Sequence, residues 1–101
     1  MNRIDELIRK LRHASADNRK AAAEALGNIG DPRALPHLIQ TLKTDMNKDV
    51  RRVAAESLGK LGDREAVEPL IQSMNTDAND DVRAAAAKSL GLLGDRRAVP
   101  D

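Results

Sequence analysis

The sequence predicts an all-α protein, an α-solenoid in which antiparallel helix pairs stack into a superhelix. Three observations lead to this fold class. The chain repeats itself every 32 residues, and the apolar residues of each repeat recur at spacings of three and four. Its 101 residues include no Phe, Tyr, Trp or Cys, so the core must be built from small and aliphatic side chains, which suit close packing between helices.

The 32-residue period is clearest in a glycine motif. The segment Gly27–Asp31 returns as Gly59–Asp63 and again as Gly91–Asp95, without insertion or deletion between the copies. Residues 17–48 and 49–80 are identical at 16 of 32 positions. We therefore predict one domain, 1–101, in four segments: an N-terminal capping helix at 1–16, repeat 1 at 17–48, repeat 2 at 49–80 and an incomplete repeat 3 at 81–101.

Each repeat begins with an amphipathic helix. In repeat 2, five apolar residues fall on one face of that helix: Val50, Val53, Ala54, Leu58 and Leu61. Asp49 precedes this pattern and is predicted to be the N-cap, as are Asp17 and Asp81 in the other copies. Gly62 follows the last apolar residue, so we expect it to end the helix in a left-handed conformation.

A second helix completes each full repeat. In repeat 2 its apolar residues are Val67, Leu70, Ile71 and Met74. Asp63 is placed to cap this helix, and Pro32 in repeat 1 suits a first helical position. Pro36 and Pro69 lie a few residues further on, where a proline ring removes a backbone hydrogen bond. We therefore predict a separate short turn after the cap, with regular helix resuming near the proline.

The two ends of the chain differ in this pattern. The N-terminal helix is charged on one face and carries on the other the apolar residues of a second helix: Ile4, Leu7, Ile8 and Leu11. Repeat 3 stops where its second helix should begin, which leaves Leu90 and Leu93 without a partner in the sequence. These two ends predict self-association, head-to-tail or by domain swapping, in which the first helix of one copy completes the last repeat of another.

Repeat 2 contains the motif Val50-Arg51-Arg52-Val53-Ala54-Ala55-Glu56-Ser57-Leu58-Gly59-Lys60-Leu61-Gly62-Asp63, followed by Ala66-Val67-Glu68-Pro69-Leu70-Ile71. This motif resembles the HEAT-like repeats of the phycobilisome-lyase type, and the resemblance covers essentially the whole chain. It implies a stack of 32-residue HEAT-like repeats. Chains of that family include chromophore lyases and related chaperones, iron-containing hydroxylases, signalling adaptors and artificial binding scaffolds, so the resemblance specifies the repeat class and leaves the role open.

The resemblance also implies a structural ladder between neighbouring repeats. In such repeats an Arg near the start of the first helix and an Asp in the turn form ion pairs. The equivalent positions in this chain are Arg19, Arg51 and Arg83 with Asp31, Asp63 and Asp95. The alternative is a phosphate-binding stripe made by the three arginines, since they lie in register.

One stripe of the first helix changes between copies while the framework stays constant. Its residues lie four apart on one helical face: Lys20, Glu24 and Asn28, then Arg52, Glu56 and Lys60, then Ala84, Lys88 and Leu92. The resemblance implies that this face is turned toward partners. The alternative is ordinary solvated surface.

The sequence offers little for catalysis or for binding a metal or cofactor. The segments that begin at Asp45 and Asp77 resemble the start of a calcium loop. An EF-hand needs Gly at its sixth position, where this chain has Val50 and Val82, so both segments are predicted to be polar turns between repeats. The two histidines stand alone, without the paired His-Glu dipeptides of the iron-containing relatives. We expect no catalytic residue, no metal and no cofactor.

Charge and hydropathy limit the partners and the location. Seventeen Lys and Arg balance 16 Asp and Glu to a net charge of +1, so neither nucleic acid nor an anionic membrane is expected as a partner. The N-terminus lacks the apolar core of a signal peptide, and no apolar run approaches the ~18 residues of a transmembrane helix. The expected location is the cytoplasm.

These features together predict a non-catalytic scaffold for protein–protein interaction, whose partner is another protein. An alternative is a fragment of a larger HEAT-repeat protein, chromophore-lyase-like or enzyme-regulating. The regular spacing and the high identity between copies leave an engineered, consensus-like repeat scaffold as a third interpretation.

Overall fold

The computed structural model describes residues 2–97 of the chain, and the side chains of residues 2–94. This part of the chain folds into α-helices joined by short turns and contains no strand. The helices are α1 (Arg3–Lys10), α2 (Ala16–Ile29), α3 (Leu35–Thr44), α4 (Lys48–Leu61), α5 (Val67–Thr76) and α6 (Asp80–Arg97). Short 3-10 helices precede α3 at Pro32–Ala34 and α5 at Arg64–Ala66. The predicted all-α solenoid is confirmed.

The helices form three packed pairs, in which α1 lies against α2, α3 against α4 and α5 against α6. The pairs stack as layers, because α2, α4 and α6 also pack side by side. Each layer thus combines the second helix of one sequence copy with the first helix of the next. The stack is flat and elongated, measuring 41 × 32 × 15 Å.

The core lies between the layers and within each pair. Leu26 and Leu58, which are 32 residues apart, are both fully buried, as are Leu38 and Leu70 in the other row of helices. Burying one such side chain contributes about 2 kcal/mol to folding. The repeat therefore places the same apolar side chain at the same point of successive layers, which is how the stack buries one continuous core.

Left-handed glycines end the first helix in the first two copies. Gly30 and Gly62 have φ of 76° and 72°. The following Asp31 and Asp63 accept hydrogen bonds from the backbone N–H of the residue two positions later, which starts the 3-10 turn. The prediction for Gly62 is confirmed. Gly94 is equivalent in sequence, yet α6 continues through it, since glycine permits the left-handed conformation without imposing it.

The prolines of the second helices lie where the sequence placed them. Pro32 begins the first 3-10 turn, and regular helix resumes at Leu35, so Pro36 falls in the first turn of α3. The ring at that position costs no internal hydrogen bond, because the first four N–H groups of a helix have no partner within it. The predicted separate turn before each second helix is confirmed.

The predicted N-caps were wrong by two residues. Ser15 and Asn47 cap α2 and α4, and Asn79 does the same for α6. The Asn47 Oδ1 accepts from the N–H of Asp49 at 2.8 Å and from that of Val50 at 3.2 Å. The aspartates proposed as caps instead lie in the first turn: Asp17, Asp49 and Asp81. A negative charge there interacts favourably with the positive end of the helix dipole.

The prediction that α6, the first helix of repeat 3, lacks an apolar partner within the chain was also wrong. Leu93 is only 1% exposed and Leu90 is half-buried, because α5 and α4 cover the apolar side of α6. At the other end Ile4, Leu7 and Leu11 are buried where α1 packs on α2, and Ile8 is half-buried. Pairing the helices within a copy leaves α6 without a partner, whereas the fold pairs helices across the copy boundary. The surfaces proposed for self-association are therefore occupied within the chain.

Candidate functional site

The stripe that varies between copies forms one continuous surface, which we call the variable face. It crosses α2, α4 and α6, which pack side by side. Lys20, Arg52 and Glu56 are half-buried along this face. The remaining members are exposed: Glu24, Asn28, Lys60, Ala84, Lys88 and Leu92. All nine predicted residues therefore lie at exposed or half-buried positions of three helices that pack in a row.

Two polar contacts order part of the variable face. The Nζ of Lys60 donates to the Oδ1 of Asn28 at 2.9 Å, which joins α4 to α2. Within α4, the Nη1 of Arg52 lies 3.3 Å from the Oε1 of Glu56, one turn later. Residues from neighbouring copies thus contact each other across the helices, so a ligand lying on the face would meet several copies at once.

A groove lies between α4 and α6 at one end of the variable face. It has a volume of about 360 Å³ and is lined by Glu56, Lys60, Lys88, Ser89 and Leu92. Leu92 is 42% exposed and belongs, with Ile29 and Met46, to the large apolar side chains that are exposed in the described part of the chain. Two lysines beside an exposed leucine suit a ligand that combines an acidic group with an apolar one. Ser89 faces inward and is 2% exposed, so it packs between the helices.

The arginines near the start of the first helices form ion pairs with aspartates that precede the next first helix. The Nε of Arg19 lies 2.8 Å from the Oδ2 of Asp45, and the Nε of Arg51 lies 3.0 Å from the Oδ2 of Asp77. Each pair has a second hydrogen bond from Nη2, so both are bidentate. The Nη1 of Arg51 also donates to the backbone carbonyl of Asp45 at 2.7 Å.

The predicted partners of this ladder need correction. The structure does not bring Arg19 or Arg51 to Asp31 or Asp63. Those aspartates lie at the opposite end of the first helix, where each caps a 3-10 turn. Asp31 also pairs with Arg33, whose side chain and backbone N–H lower the pKa of that carboxyl group. The side chain of Asp95 lies outside the described residues.

Arg83 completes the ladder differently from its two equivalents. Its Nη1 donates to the backbone carbonyl of Asp77 at 2.5 Å, as Arg51 does to Asp45. Its Nη2 contacts the exposed carboxylate of Asp80 on the same helix. Because carboxylates and carbonyls occupy the guanidinium groups of Arg19, Arg51 and Arg83, these residues do not form an open phosphate-binding stripe.

Burial and hydrogen bonding shift the pKa of the Asp77 carboxyl group in opposite directions. Burial alone would raise the pKa of this carboxyl group. The hydrogen bonds from Arg51 and from the backbone N–H of Asn79, with the positive charges of Arg51 and Arg83, outweigh that effect and hold the pKa below its ordinary value. Asp77 is therefore a charged structural group at neutral pH.

The turns between copies share one hydrogen-bond arrangement. The Oδ1 of Asp45 accepts from the N–H of Asn47, and Asp77 accepts from Asn79 in the same way. At the start of the chain, the Nδ1 of His13 takes this position and accepts from the N–H of Ser15 at 3.0 Å. Among the described side chains, those of residues 2–94, no group of three or more His, Cys, Asp or Glu is placed to hold a metal ion.

Asp45 and Asp77 are the ladder partners, and the sequence pattern alone does not identify them in that role. Both recur 32 residues apart, and each is followed two residues later by the capping asparagine. That recurrence was the available signal. The recurrence predicts only a polar turn, because a contact 26 residues along the chain depends on how the helices pair.

Among the helices described, none is both long and apolar enough to cross a membrane.

Comparison with known proteins agrees with this architecture. The family of HEAT repeats matches residues 3–45 and 35–101. A similar solved structure is the complex of CpcE and CpcF of phycocyanin lyase from Nostoc sp. PCC7120, with 34% identity and a TM-score of 0.82. The match covers 99% of this chain and 40% of that chain, so this protein spans less than half the length of its structural relative. Among curated proteins, no relative matches the sequence. The chain belongs to the HEAT repeat family.

Proposed function

We propose that the chain is a non-catalytic scaffold that binds another protein through the variable face. The observation that carries this proposal is the continuity of that face. Its residues lie on α2, α4 and α6, which pack side by side, and the Lys60–Asn28 hydrogen bond joins two copies across it. Framework residues such as Ala22, Leu26 and Gly27 recur as Ala54, Leu58 and Gly59, so the residues of the face can change while the architecture stays fixed.

The composition of the face indicates the kind of partner. The groove at its end offers Lys60 and Lys88 for an acidic group and Leu92 for an apolar side chain. No aromatic residue is present in the chain, and aromatic side chains supply much of the binding energy in protein interfaces. We therefore expect modest affinity, with a Kd of about 1 µM or weaker.

The test is a comparison of two variants with matched charge. In the first, five residues of the variable face are replaced by Ala: Lys20, Glu24, Arg52, Glu56 and Lys60. In the second, five exposed residues outside the face, with the same charges, are replaced by Ala: Arg9, Glu6, Arg64, Glu68 and Lys43. A partner identified from source lysate is then purified, and its affinity for each chain is measured.

We expect the face variant to lose at least about tenfold in affinity and the control variant to bind like the parent chain. Circular dichroism confirms that both variants fold. Equal affinity of both variants for the partner would exclude the variable face as the binding surface.

A second candidate function is participation in a lyase complex. The observation in its favour is the 34% identity over almost the whole chain to a protein of the CpcE–CpcF complex of phycocyanin lyase. In this hypothesis the chain acts with a second protein on phycocyanin or a similar substrate. The test incubates chain, candidate partner and phycocyanin apoprotein with chromophore, and measures the chromophore that remains attached after denaturation. Attachment that is equal with and without the chain would reject this candidate.

A further inference from the structure

Contact between successive layers depends on a serine that enters a pocket of small residues. The hydroxyl of Ser57 donates to the backbone carbonyl of Ala23 at 2.7 Å, and that of Ser89 donates to Ala55 at the same distance. Each serine also lies over a glycine of the preceding first helix. A Cβ added at Gly59 would lie 2.5 Å from the Oγ of Ser89, and one at Gly27 would overlap Ser57.

Two more residues of the upper layer recur at fixed distances from each serine, and the valine shares the serine's helical face because seven residues are close to two turns. Val50 and Val82 lie seven residues before Ser57 and Ser89, and both are fully buried. Asp45 and Asp77 lie five residues before those valines and bind the arginine of the layer below. Each upper layer therefore presents three docking residues, an Asp, a Val and a Ser, at spacings of five and seven.

The outer side of α6 repeats the surface that α2 and α4 present to the next layer. Ala87 and Gly91 are equivalent to Ala55 and Gly59, which are buried, but both are exposed. Nothing among the described residues lies within 4 Å of a Cβ added at Gly91. Arg83, the equivalent of Arg51, is paired with the exposed Asp80 instead of a carboxylate from another layer.

The first layer of the chain does not carry the matching residues. His13, Asn18 and Ala25 stand at the three positions that hold Asp, Val and Ser in the later layers. Asn18 is exposed, whereas the valines at its equivalent positions are buried. The α1–α2 layer is therefore a polar end, and it is a poor match for the outer side of α6 in a second copy.

We propose that the outer side of α6 is a docking surface for another protein of the same repeat class, whose docking layer carries Asp, Val and Ser at spacings of five and seven. This interface continues the two interfaces already formed inside the chain. The serine bonds the carbonyl of Ala87 and lies over Gly91, the valine is buried, and the aspartate takes the Nε and Nη2 of Arg83. The proposal does not rest on the variable face, which does not include Arg83, Ala87 or Gly91.

The experiment supplies these docking residues on the chain itself. A donor chain carries His13→Asp, Asn18→Val and Ala25→Ser, which give its first layer the three docking residues, and Gly91→Met, which blocks its own α6 surface. Because Gly91 is exposed and its surroundings are open, Gly91→Met does not disturb the fold, and circular dichroism checks this. The acceptor is the unmodified chain, and the control acceptor carries Gly91→Met alone.

We expect donor and unmodified chain to form an end-to-end 1:1 dimer in sedimentation velocity. Its Kd should be at least about tenfold lower than that of the donor with the control acceptor, and than that of the unmodified chain with itself. The proposal is overturned if the donor forms no dimer, if it binds both acceptors equally, or if the unmodified chain self-associates as tightly. None of these outcomes bears on partner binding by the variable face.

Discussion

The hydroxyl of Ser57 donates a hydrogen bond to the backbone carbonyl of Ala23, 34 residues earlier in the chain, and both residues are buried. The serine side chain also excludes any Cβ at Gly27. One residue thus supplies a hydrogen bond between layers and sets how closely two helices approach. Ser89 repeats the contact one period later, with Ala55 and Gly59.

Replacing Gly59 and Gly91 by Ala should have opposite effects on stability. Gly59→Ala places a methyl group against Ser89, and overpacking of this kind costs about 1–3 kcal/mol. Gly91→Ala meets open space in an exposed helix, so the better helix propensity of Ala should stabilise the chain by up to about 1 kcal/mol. Urea unfolding of the two variants and the parent chain measures both effects.

The two glycine variants control for each other, because they make the same chemical change at equivalent positions of adjacent helices. A Gly59→Ala chain as stable as the Gly91→Ala chain would contradict the close contact with Ser89. Adding Ser89→Ala to Gly59→Ala should not restore the lost stability, because the Cβ of residue 89 still lies 2.8 Å from the added methyl group and the hydrogen bond to the carbonyl of Ala55 is lost.

The second prediction concerns Asn47, the N-cap of α4 in the structure. Asn47→Ala should lower the free energy of unfolding by about 1 kcal/mol, because two N–H groups lose their acceptor. Asp49→Ala removes only a favourable charge in the first turn, which contributes about 0.3–1 kcal/mol at low ionic strength and less at high salt. Thermal unfolding at low and high salt separates the two effects. If Asp49→Ala were the more damaging at high salt, the aspartate would be the cap after all.

The fold could be predicted from the sequence because its strongest determinants are local and repeated. Apolar spacing of three and four, the Gly–Asp pair and the prolines act within one helix or one turn. They led to the all-α solenoid, the left-handed Gly62 and the short turn before Leu35, all of which the structure confirms. The division of the chain at 17, 49 and 81 stays a prediction.

The contacts between helices could not be predicted in the same way. The pairing of Arg51 with Asp77, rather than Asp63, depends on the second helix of one copy packing against the first helix of the next. Any cut of a periodic sequence into copies is equally consistent with the repeat. The cut chosen at Asp81 made α6 look unpaired, although α5 covers its apolar side. The residues of the variable face could be selected from helical spacing alone, without knowing how the helices pair, and their role stays a prediction.

Removing the carboxylate of Asp77 should be more damaging than removing that of Asp81. Asp77 accepts hydrogen bonds from Arg51 and from the N–H of Asn79, and its side chain is 9% exposed. Asp77→Ala leaves a largely buried guanidinium without its carboxylate, which costs about 1–3 kcal/mol. Asp81 is exposed on the first turn of α6, so Asp81→Ala serves as the charge-matched control. Similar unfolding free energies for the two variants would show that the ion pair does not stabilise the stack.

The lowered pKa of Asp77 gives this contribution a pH dependence of defined sign. A carboxyl group that binds its proton less tightly when folded stabilises the fold above its unfolded pKa, which lies near the ordinary value of 3.8. The stabilisation is lost as the pH falls from that value through the lower folded pKa. Asp77→Asn cannot titrate, so its stability should fall less steeply with acid than that of the parent chain. Urea unfolding of both chains between about pH 6 and about pH 2 measures the difference, which should be largest at the upper end and shrink below the ordinary pKa. A difference that stayed constant down to the lowest pH would mean that Asp77 is not the titrating group, because the advantage of its charge must disappear once it is protonated in both states.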